Sequence, residues 1–213
     1  MAVSGFLLFG FVVAHLLGNL QVFLGQDPIN AYGHFLQTKP ELLWTARLGL
    51  VLIVVVHIWA ASTLTLLNEA ARPVAYAQSK PVAASYASRT MMMSGLIIAA
   101  FLVYHLLHFT VQTEGINLTH TDFKTLQDPQ GRHDVYGMML KGFSNFWVSM
   151  FYLVAMALLC LHLSHGLSSM FQSIGFKNQQ YRACLDRSAW IVALVIFLGY
   201  SSIPIAILCG YGS

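Results

Sequence analysis

The stretch Ser4-Gly5, nine residues, His15-Leu16-Leu17 returns almost unchanged as Ser94-Gly95, nine residues, His105-Leu106-Leu107. Both copies lie inside long apolar runs, so each sets a small-residue notch on a helix at membrane depth and an imidazole ten positions later. At about 1.5 Å per residue, the imidazole lies roughly 15 Å beyond the glycine. Two such helices running in one direction present their histidines at one depth. Facing imidazoles in lipid grip a cofactor from both sides, and iron porphyrin is the first candidate.

Nine histidines are present in all. His34, His120 and His133 fall in polar connections and read as solvated loop residues. The other six lie within apolar segments, where a polar side chain faces a partner or a cavity. Depth sorts them into an outer pair, His15 with His105, and an inner pair, His57 with His162, with levels expected to differ by roughly 5–10 Å. Two bis-histidine haems stacked across the membrane follow. Neutral imidazole on both faces favours six-coordinate iron, which moves electrons and leaves no open position for oxygen. His108 follows His105 by three residues but lies outside the repeat. His165 follows His162 by three and competes with it as ligand. A small residue follows each inner histidine by four, Ala61 after His57 and Gly166 after His162, and would let a flat macrocycle lie against the backbone. On that analogy His162 is the ligand, and His165 binds a propionate or a polar neighbour. Propionates need donors, which Ser4, Arg47, Arg89, Ser164, Ser168 and Ser169 could supply. Arg47 and Arg89 serve equally well as helix-end anchors at the interface.

The elements that must carry these residues are membrane spans. The 213-residue chain is 57% hydrophobic and 9% charged, which excludes an ordinary soluble domain, and its net charge of +3 is too scattered for nucleic acid. Cys160, Cys184 and Cys209 are too far apart for a CxxC site, an iron–sulfur cluster or a disulfide framework. No cleavable signal is evident, so the first segment reads as a retained helix. Five segments suffice to cross a hydrocarbon layer of about 30 Å, approximately 4–25, 43–67, 90–112, 146–171 and 188–210. The expected fold is an all-α membrane protein, one domain over 1–213, with five transmembrane helices in a bundle and the first four enclosing two stacked haems. Pro204 is expected to kink the fifth span. In the third connection, 136–140 reads equally well as an interfacial piece or a plain loop.

Orientation follows from the basic residues. Connections two and four hold Arg72, Lys80, Arg89, Lys177, Arg182 and Arg187 against Glu69 and Asp186, whereas connections one and three are net acidic. This places connections two and four and the N-terminus in the cytoplasm, in a multi-pass protein of the cell inner membrane. No GxGxxG or P-loop is present, and no nucleophile–base–carboxylate set is visible. A two-haem chain therefore needs an external donor and a nearby acceptor, for which membrane quinone is the natural choice. Polar groups that could meet it beyond the outer haem are Gly18-Asn19-Leu20-Gln21, His34, Gln37 and Glu41.

On HLLGNL at 15–20, HIWAASTLTLLNEAARP at 57–73, SG-x9-H at 94–105 and HLSHGLSSMFQSIG at 162–175, the chain resembles the cytochrome b membrane anchor of succinate dehydrogenase and fumarate reductase, in its single-chain, five-helix, dihaem form. The resemblance implies two haem b, with His15 and His105 on the distal one and His57 and His162 on the proximal one. It implies three partners: a flavoprotein with covalent FAD, an iron–sulfur subunit on the cytoplasmic face, and quinone, usually menaquinone. No flavin, succinate or other catalytic residue is then expected on this chain. Two departures stand out. Cys160 occupies a position where some dihaem fumarate reductases carry a glutamate, and the third connection is longer than usual. The competing readings are the cytochrome b subunit of a formate dehydrogenase or hydrogenase and, from another class, a haem-free transporter or assembly factor.

Overall fold

The computed structural model describes residues 1–71 and 89–212. Arg72, Lys80 and the end of the 57–73 motif lie outside the described residues. Helices account for nearly all regular structure: α1 (Ala2–Leu20), α2 (Gln26–Gln37), α3 (Pro40–Ala70), α4 (Met91–His105), α5 (Val135–Ser144), α6 (Phe146–Ser173) and α7 (Arg182–Leu208). A 3-10 turn, Gln21–Leu24, continues α1, and a π-helical turn, Leu106–Thr110, continues α4. Among the described residues, five helices are long and apolar enough to cross a membrane: Ala2–Leu24, Pro40–Ala70, Met91–Thr110, Phe146–Ser173 and Arg182–Leu208. The protein is a multi-pass, all-α membrane protein.

Local chemistry sets several of the boundaries. Pro40 opens α3, at the position where its missing N–H costs nothing. Asn145 caps α6, its side-chain oxygen accepting from the amides of Trp147 at 3.0 Å and Val148 at 3.2 Å. Pro204 is buried inside α7, which runs past it from Arg182 to Leu208.

Packing is uneven along the bundle. The apolar core gathers at the end away from Ser4, where Val22, Phe101, Phe143, Val148, Tyr152 and Ile203 are all buried. α6 and α7 pack along their length, and α4 and α1 lie against α6. By contrast α3 has no buried residue over its 31 positions and rests mainly on α1, α2 and α4.

The long connection between α4 and α6 is folded. Its segment 135–144 is helix α5, lying against α2, α6 and α7. Asn30 of α2, fully buried, donates to Asp128 at 3.3 Å and Asp134 at 2.9 Å, and its oxygen accepts from the Tyr136 amide at 2.9 Å. Arg132 pairs with Asp128 at 2.7 Å and reaches Asp27 at 2.8 Å. This polar knot fastens the connection across the end of the bundle opposite Ser4.

The knot has a pH signature. Burial alone raises the Asp134 carboxyl, but the Gly137 amide and the side chains of Asn30 and Gln26 outweigh it and hold it below the ordinary range. Asp128 is likewise held low, burial being overcome by the Arg132 backbone and side chain, Asn30 and Gln130. A carboxyl lowered in the folded state adds stability that is present above its unfolded value, about 3.9, and is lost as pH falls through the lowered one. Exchange protection of the Tyr136 amide, corrected for intrinsic rate, should therefore hold from neutral pH to about 4 and fall below it. Protection lost already near neutrality would contradict this account.

Candidate functional site

The two repeat histidines meet. His15 of α1 and His105 of α4 have ring centroids 5.8 Å apart, edge to face. Metal–imidazole bonds of about 2 Å on opposite sides of one ion put two ring centres roughly 6 Å apart, so the spacing fits bis-imidazole ligation. Each ring stacks on a phenylalanine one turn earlier, Phe11 on His15 at 5.2 Å and Phe101 on His105 at 6.0 Å. Tyr200 of α7 closes the His15 side at 6.3 Å and anchors its hydroxyl on the Val12 carbonyl at 2.7 Å.

The Ser-Gly notches hold the other two histidines. Ser4 Oγ lies 3.0 Å from His57 Nδ1, and a Cβ added at Gly5 would meet His57 Cε1 at 3.6 Å. Ser94 Oγ lies 3.3 Å from His162 Nδ1, and a Cβ at Gly95 would meet His162 Cε1 at 3.4 Å. The α1–α3 arrangement is thus repeated by α4–α6. His57 is the electrostatic neighbour of His162, as His15 is of His105.

The hydrogen bonds of the two serines are compatible with a ligating tautomer in both cradles. A serine hydroxyl has one proton, and here it goes to the carbonyl one turn back, from Ser4 to Met1 O and from Ser94 to Met91 O, each at 3.0 Å. With the proton placed there, the hydroxyl oxygen accepts from Nδ1–H, the tautomer that leaves the Nε2 lone pair for a metal. His165 differs. Its Nε2, the atom that would ligate, lies 3.1 Å from Ser169 Oγ on its own helix.

The contacts also set the levels. His57 sits at Gly5 and His162 at Gly95, ten residues from His15 and His105, so the two backbone levels are about 15 Å apart and not 5–10 Å. Hydropathy locates span ends too coarsely to fix such a height.

The other expected residues disperse. Ser4, expected as a propionate donor, has its hydroxyl committed to Met1 O and His57. Arg47 is exposed, its guanidinium carbon 5.4 Å above the Trp44 ring centre and about 15 Å along α3 from His57. Arg89 lies exposed just ahead of α4. Ser164 bonds the Leu161 carbonyl. Of the groups considered for quinone, Asn19 donates to the His15 carbonyl at 2.6 Å, while His34, Gln37 and Glu41 are exposed.

Three functional candidates escaped the sequence. Lys177, counted there as loop charge, folds back to Ser168 and Asp186, each at 2.6 Å, with its side chain 12% exposed. Phe11 and Phe101 occupy matching positions of the repeat, a signal that was available. Tyr152 carries its hydroxyl to two histidines from an otherwise apolar stretch, and no pattern marks it.

Among the described residues no three His, Cys, Asp or Glu side chains converge on one point, so the candidate ligand sets are pairs. A porphyrin supplies four equatorial donors and needs only such a pair. In comparisons with protein-family models, curated proteins and solved structures, none matches the chain.

Proposed function

We propose that the chain is the haem-bearing membrane anchor of a succinate:quinone oxidoreductase, with His15 and His105 holding one haem b and His57 and His162 the other. The observation that carries the reading is the repeated arrangement of histidines at two levels, in which the Ser4 and Ser94 hydroxyls lie 3.0 and 3.3 Å from Nδ1 of His57 and His162, an arrangement that suits ligation through Nε2. The 5.8 Å spacing of the His15 and His105 rings supports it, as does the open space beside Gly166, where a Cβ would meet nothing within 4 Å. Bound there, iron porphyrin supplies one-electron chemistry with no open position for oxygen.

The residues of the chain do the rest. The imidazoles hold the metal, the serines fix their tautomers, and the apolar bundle keeps water away. With the N-terminus cytoplasmic, connections two and four form the basic face on which an iron–sulfur subunit docks, and that subunit links the anchor to a flavoprotein with FAD. Quinone, of the menaquinone type, is the membrane substrate. No flavin or succinate site belongs to this chain.

The test is purification of the intact complex with flavin, iron and haem counted per chain. Covalent flavin, iron–sulfur iron and two b haems are expected. A reduced-minus-oxidised spectrum without a b-type band would remove the haem reading and favour a haem-free transporter or assembly factor. Two haems with no flavoprotein partner would favour the formate dehydrogenase or hydrogenase alternative. His165→Ala should keep both haems, as extraction and pyridine haemochrome assay would report. Loss of one haem in that variant would make His165 a ligand.

A further inference from the structure

Beyond the four proposed ligands, one buried polar chain is used by nothing described so far. Tyr152, 6% exposed on α6, places Oη 3.4 Å from His105 Nδ1 and 3.0 Å from His108 Nδ1. His108 lies on the π-helical turn that follows His105, a type of distortion frequent at functional sites. It is fully buried, and its Nε2 has no hydrogen-bond partner. A Cβ added at Gly142 of α5 would lie 3.3 Å from that nitrogen.

The hydroxyl has one proton and two acceptor positions. If His105 offers Nε2 to a metal, its proton stays on Nδ1 and is donated to Tyr152 Oη. The tyrosine proton must then go to His108 Nδ1, and His108 keeps its own on the orphaned Nε2. Reversing the chain would also leave that nitrogen unpartnered. It would in addition put a proton on His105 Nε2 and block ligation. Only one direction is compatible with a metal at His105, and the fold bears a stranded polar atom in either case, which calls for a functional explanation.

The two levels are therefore supported differently. At His57 and His162 the acceptor is a serine whose proton rests on a backbone carbonyl. At His105 it is a phenol whose proton rests on a second imidazole. Donating that proton makes the phenol oxygen a better acceptor. A stronger bond from Nδ1–H makes His105 a more electron-rich ligand and favours the oxidised metal.

Resting on the functional reading above, we propose that Tyr152, backed by His108, is a positioning residue that lowers the reduction potential of the His15–His105 centre independently of the His57–His162 centre. Tyr152→Phe removes the hydroxyl and keeps the ring among Phe101, Phe143 and Tyr104. In the purified protein, optical redox titration of this variant should show one potential raised and the other unmoved. The expected rise is about tenfold in the reduced-to-oxidised ratio, 59 mV for a one-electron couple. His108→Leu should move the same potential in the same direction by less. Tyr104→Phe, which removes a hydroxyl bonded to the Ile116 carbonyl at 3.2 Å, should move neither.

No shift, equal shifts in both centres, or a fall would overturn the proposal. Should Tyr152→Phe bind only one haem, His108→Leu decides, and unchanged potentials in it count against the proposal. A wild-type protein without haem would instead overturn the functional reading, and this inference with it.

Discussion

Replacing His15 or His105 by alanine should take the haem content from two per chain to one, and replacing His57 or His162 should remove the other haem instead. The selectivity follows from geometry. Each pair draws on different helices, and the levels lie about 15 Å apart along α1 and α4, so neither pair contacts the other's rings. If each pair holds a haem, losing one of its two imidazoles would remove half of the protein's grip on that group. A single remaining imidazole offers one donor where the site needs two, and at His57, His162 and His105 its Nδ1 is also held by a serine or by Tyr152. Haem extracted per protein, with the potential of the centre that survives, gives four results to compare. Variants within a pair should match each other and differ from the other pair. If all four lose both haems, or none loses any, the pairing is wrong.

Asn30→Leu should loosen the end of the bundle away from Ser4 while leaving the imidazoles in place. The side chain is fully buried and makes three hydrogen bonds, two to carboxylates and one from a backbone amide. Leucine fills similar space with nothing to offer them. A stranded buried polar group costs about 1–3 kcal/mol, so the local loss should reach about 3 kcal/mol. In amide exchange, Tyr136 and Gly137 should open roughly a hundredfold more often, as about 1.4 kcal/mol per tenfold implies. Unchanged protection at both amides would mean that the connection is held by its apolar contacts alone.

The five spans were legible, as was the meeting of His15 with His105, because apolar length and a repeated spacing are local properties of the chain. What the Ser-Gly notch touches was not. Read as a small-residue notch on a helix, it turns out to seat a histidine from another span, and sequence periodicity carries no record of contacts between spans. His162 over His165 was argued from a small residue four positions on, whereas the contact that distinguishes them is a hydroxyl on α4, 68 residues away. The sequence left 136–140 open between an interfacial piece and a plain loop, because the order of the connection comes from Asp128, Asp134 and Asn30 completing one another's hydrogen bonds across a separation of about a hundred residues. Tyr152 was invisible because an aromatic in an apolar helix ordinarily means packing.

The serine cradles and the facing imidazoles cross-link the chain along different lines. Each cradle joins consecutive spans, α1 to α3 and α4 to α6, and so makes two similar halves. The His15–His105 ring contact joins one half to the other, α1 reaching α4. A group bound between the two halves, as proposed, would rivet them together, its binding free energy adding resistance to their separation as RT ln(1 + [L]/Kd) at each site. The first occupant also bears most of the ordering cost, and the second is recruited to halves already aligned.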